Sequence, residues 1–93
     1  MSIWKRKKTK PQEVVLSKEE EGELLKKVIE DFKKDLVSAK VQESVYIREV
    51  IDPVNIGKRQ AEEGVATYQK RIKYLQEIIQ AVQMYAEDHS IIL

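Results

Sequence analysis

Cysteine is absent from this chain, which removes disulfides and thiolate metal sites together. Glycine and proline are scarce, three and two residues in 93, a supply that suits long helices and would starve the turns of a β fold. No apolar run approaches the roughly 18 residues that a membrane-spanning helix requires. The basic start is not followed by an apolar stretch, so no secretory signal is expected, and Ser2 stands where N-myristoylation needs glycine. These absences point to a cytoplasmic setting. Also missing are a glycine-rich phosphate loop, a nucleophile–base pair and a cluster of carboxylates. The expectation is therefore a non-enzymatic protein with no catalytic residue, cofactor, metal or small-molecule substrate. The single histidine, His89, follows Glu87 and Asp88, but consecutive helical residues point apart and a metal needs three or four converging ligands. A cation at a helix C-terminus is the simpler reading of that position.

What is present is charge and periodicity. Charged residues make up 35% of the chain, and its length bounds it to one small domain with a thin core. Lys5, Arg6, Lys7, Lys8 and Lys10 place +5 in the first ten residues, leaving 12 basic against 16 acidic side chains elsewhere. A basic arm, residues 1–16, thus precedes a mildly acidic body.

Ser17 and Glu20 have the spacing of a capping box, with Glu19, Glu20 and Glu21 where a helix dipole favours negative charge. From there apolar positions recur at Leu25, Ile29, Phe32, Leu36 and Ala39, then at Tyr46 and Val50. The mean step is 3.5 residues, and Glu43 is the one polar member of the seam. A second seam has the same rhythm without a polar break: Ala61, Val65, Tyr68, Ile72, Leu75, Ile79, Val82 and Ala86. The pattern predicts an all-α fold with helices over about 18–51 and 58–88, joined by a connection at 52–57. Pro53 disfavours helix at Asp52, while Asn55 and Gly57 tolerate the backbone of a reversal. The stretch VQESVYI at 41–47, rich in β-branched residues, also admits a short strand, with Val45, Ile47 and Ile51 on one side.

Neither helix can bury its stripe alone, so an antiparallel coiled-coil-like hairpin follows. Pairing positions whose numbers add to 111 sets Tyr46 against Val65, Leu36 against Leu75 and Glu43 against Tyr68, whose phenol could donate to that carboxylate. A single polar pair in such a seam fixes register.

The hairpin leaves apolar residues over. Val37, Val41 and Val45 recur on the side of the first helix away from its seam, while Ile78 and Tyr85 widen the stripe of the second. Gln76 and Gln83 flank the latter and could hydrogen-bond across an interface. Two-helix units rarely hold alone, so a homo-oligomer is expected, a dimer completing a four-helix bundle, or another protein on the same face. The terminal Ser90-Ile91-Ile92-Leu93 is expected to fold back on the bundle end rather than enter a partner's groove.

The arm supports other readings. Trp4, Lys5, Arg6, Lys7, Lys8 and Lys10 could contact nucleic-acid phosphates in a dimeric binder, or an anionic membrane surface with Trp4 at the interface. A disordered solubilising tail is the plain alternative. The leading expectation is a small protein–protein interaction or oligomerisation module with an adaptor, regulatory or structural role. Its size and simple pairing would suit a phage or viral accessory protein.

Overall fold

The computed structural model describes residues 15–93; the first fourteen residues of the basic arm lie outside them, and with these the expectations for Trp4, Lys5, Arg6, Lys7, Lys8 and Lys10. Two long helices, α1 (Lys18–Ile51) and α2 (Lys58–Asp88), pack against each other as a hairpin, and the described residues contain no strand. At 1.5 Å per residue they run about 50 and 45 Å.

The capping box is formed. The Ser17 hydroxyl accepts from the Glu20 amide at 3.1 Å, and the Glu20 carboxylate accepts from the Ser17 amide at 3.1 Å. These bonds hold the Glu20 carboxyl below its ordinary value, the backbone bond from Ser17 first. The strand reading for the stretch at 41–47 fails because α1 continues unbroken to Ile51. The seam residues Tyr46 and Val50 are half-buried only in a helical phase, and that tertiary contact outweighs β propensity. Asp52 then caps the helix, its amide donating to the Arg48 carbonyl at 2.9 Å.

Every seam position is buried or half-buried. Ala39 and Ala61 are among the most buried, which lets the backbones approach. Leu75 is the largest fully buried side chain, and Ile29 and Ile79 are also buried. Tyr46 and Tyr68 stack with centroids 5.7 Å apart and planes inclined by 24°. Glu43 and Tyr68 are both half-buried in the seam, with no hydrogen bond between them among the described residues. Room for the tyrosine pair comes from Gly64, where an added Cβ would fall 2.5 Å from the Tyr46 ring.

At the far end α2 closes with a Schellman arrangement. The Ile91 amide donates to the Ala86 carbonyl at 2.7 Å and the Ser90 amide to Glu87 at 3.1 Å, with Ser90 at φ 57°. This turn folds the terminal residues back, so that Ile91 is buried against the first turns of α1. Gly22 is where they land: a Cβ there would lie 3.0 Å from the Ile92 carbonyl oxygen and 3.2 Å from Ile91 Cγ2. Gly22→Val is expected to lift residues 90–93 from the bundle, costing up to about 2 kcal/mol of Ile91 burial. Hydrogen exchange at the Ile91 amide reads this directly; unchanged protection there would contradict it.

Candidate interaction surface

Three features stand out beyond the core: a clamped connection, a polar cluster at the open end, and an unpaired apolar line on α1.

The connection is organised by Glu49, which is only 8% exposed. Its Oε2 accepts from four successive amides, Val54 at 2.8 Å, Asn55 at 2.7 Å, Ile56 at 2.9 Å and Gly57 at 3.3 Å. Such a run of converging N–H groups forms an anion nest, here filled by the chain's own carboxylate. The bond from Ile56 leads in holding the Glu49 carboxyl below its ordinary value, against the opposing effect of burial. Gly57, at φ 87°, begins α2 without a side-chain cap, and the first turn of α2 has no acidic residue. Glu49 supplies the negative charge that this helix end would otherwise lack.

At the open end Tyr85 donates to Glu21 Oε2 at 2.6 Å and stacks on His89, whose Nδ1 is 2.9 Å from the Tyr85 carbonyl oxygen. The Glu21 bond is the leading cause that pushes the Tyr85 phenol up from its ordinary value. Among the described residues, no group of three or more potential metal-ligating side chains comes together. No helix among them is long and apolar enough to cross a membrane.

Val37, Val41 and Val45 are 60%, 57% and 56% exposed and line one shallow groove on α1 with Lys40, Ser44 and Arg48. The α2 residues grouped with them in the sequence reading do not share that groove. Ile78 is half-buried, and Tyr85 is tied to Glu21. Gln76 is exposed, and Gln83 lines a separate groove with Lys26, Ile29, Glu30, Lys33 and Leu93. Sequence reasoning passed over Glu49 and Gly64. Glu49 sits one residue from a seam position and resembles any solvated carboxylate; its only signal is the run of loop amides after Pro53. Further exposed apolar side chains are Ile51 at the end of α1, Val54 within the connection, and Tyr74 and Met84 on α2. Comparison with protein-family models, with curated proteins and with solved structures finds no match to this chain.

Proposed function

We propose that the chain is a non-enzymatic protein–protein interaction module, a helical hairpin that self-associates through the outer face of α1. The observation that carries this reading is the valine line: three β-branched side chains, each more than half exposed, in register along one groove. Scattered surface valines are ordinary, but an aligned set beside a core only two helices thick marks a covered face. The smallest assembly that covers it is a pair of hairpins, which brings four helices into contact.

Val41→Glu places a charge in the middle of the line, at an exposed position that the hairpin core does not use. The expected result is a fall in solution molar mass to the 10.9 kDa of one chain, with helicity unchanged. A variant that keeps the mass of the parent protein would overturn the assignment.

A second reading is favoured by the concentration of +5 within residues 5–10. In it the assembled hairpins present several arms to nucleic-acid phosphates. Binding would then weaken linearly with salt on a log–log plot and vanish when residues 1–10 are removed. Absence of binding at low salt rules this reading out.

A further inference from the structure

The tertiary contacts that shape the hairpin join α1 to α2 or to the tail behind it. Tyr46 stacks on Tyr68, Tyr85 donates to Glu21, and Ile91 packs on Gly22. None of these depends on the two helices belonging to one chain. The α1 of one copy and the α2 of another could make each of them unchanged.

The connection decides which α2 is taken, and it has a single fastening. Positions 52–56 are all exposed and Gly57 is half-buried, so no apolar side chain of the connection anchors it in the core. Among the described residues, its backbone-to-backbone bonds are those of the helix ends, from Asp52 to Arg48 and from Ala61 to Gly57. The four amides from Val54 to Gly57 all go to the Glu49 carboxylate instead. Nor does length dictate the path. The connection between Ile51 and Lys58 can reach about 20 Å when extended, against the roughly 8–10 Å that separates packed helices. That slack would let the chain run on past the end of α1, and the clamp draws it back.

We infer that the Glu49 clamp is a latch that selects between two pairings of the same two helices. With the carboxylate seated on its four amides, α1 and α2 of one chain fold together. With it released, the connection straightens and α1 of each copy pairs with α2 of the other. The product is an exchanged dimer, still two helices thick and about twice as long. It keeps both seams, the bond from Tyr85 to Glu21 and the landing of Ile91 on Gly22, and gives up only the reversal. It also sets the two connections side by side at the middle of the rod. Ile51 and Val54, 77% and 73% exposed in the hairpin, then stand near their counterparts in the other copy. The latch is independent of the valine face, which lies outside the seam in either form.

The test compares Val41→Glu with the double variant Val41→Glu/Glu49→Ala, so that association through the valine face is suppressed in both. Each is unfolded and refolded at high concentration, and circular dichroism verifies that it is helical. Light scattering then gives the molar mass and small-angle X-ray scattering the length of the helical rod. With Glu49 intact, a mass near 10.9 kDa and a rod of about 50 Å are expected. Without it, the mass should double and the rod reach about 100 Å, both reverting on dilution. Glu49→Gln in the same background keeps an acceptor and should give a smaller dimer fraction; it carries the test if the alanine variant loses its helices. A Glu49 variant that stays a monomer, or that dimerises without lengthening, would overturn the latch. So would an elongated dimer already formed with Glu49 in place. A dimer of hairpin length in Val41→Glu itself counts against the valine face alone, because the latch is read from the length.

Discussion

Glu49→Ala is expected to lower the melting temperature by roughly 10 °C, a large effect for one side chain in a domain this small. Four amides, at Val54, Asn55, Ile56 and Gly57, lose their common acceptor, and α2 loses the negative charge near its N-terminus. Water can enter the space the carboxylate leaves, but it must be ordered there and does not supply one charged acceptor to all four amides. Glu49→Gln keeps an acceptor but not the charge, and should fall between alanine and the parent protein. The same contact has a pH signature. The folded carboxyl lies below its ordinary value of 4.5, so its stabilisation is complete above that pH and is lost as pH falls through the lowered folded value. Other carboxylates titrate in the same range, so the informative quantity is the difference in melting temperature between parent and Glu49→Gln. That difference should be constant from pH 5 to 7 and shrink under acid. A gap unchanged at pH 3 would mean that the charge of Glu49 contributes nothing.

Gly64→Val is expected to destabilise the hairpin by about 3 kcal/mol. The Tyr46 ring occupies the space where a Cβ would stand, at 2.5 Å, and three of its ring atoms lie within 2.7 Å of that point. Tyr46 cannot swing away without giving up its stack on Tyr68. Gly64→Ala gains up to about 1 kcal/mol in helix propensity, which offsets part of the same clash, so its net effect is smaller. Combining Gly64→Val with Tyr46→Ala should cost less than the two single changes added together, since the shortened side chain makes room. Denaturant unfolding of the four proteins measures the coupling. Strict additivity would show that the glycine and the ring do not meet.

The periodic features were legible in the sequence because they are local or repeat. Ser17 and Glu20 announce a helix start within one turn, Pro53 bars helix at Asp52, and two 3.5-residue seams identify the buried faces. What could not be read depends on which side chain takes a given space between the helices. The stack of Tyr68 on Tyr46 is one such feature, since it depends on Gly64 letting the Tyr46 ring sink. The Glu49 clamp depends on the path of the connection, and the landing of Ile91 on Gly22 depends on how α2 ends. The candidate surface divides in the same way. The valine line follows from a single helix and is visible in sequence. The α2 residues assigned beside it, Ile78, Tyr85, Gln76 and Gln83, do not line its groove, because the hairpin turns them elsewhere.

Light scattering across about a hundredfold dilution of the parent protein, with helicity followed in parallel, tests self-association most directly. The weight-average molar mass should exceed 10.9 kDa at the highest concentration and fall toward that value on dilution. A helical protein of 10.9 kDa at every concentration would contradict self-association and leave the valine face of α1 to a different protein.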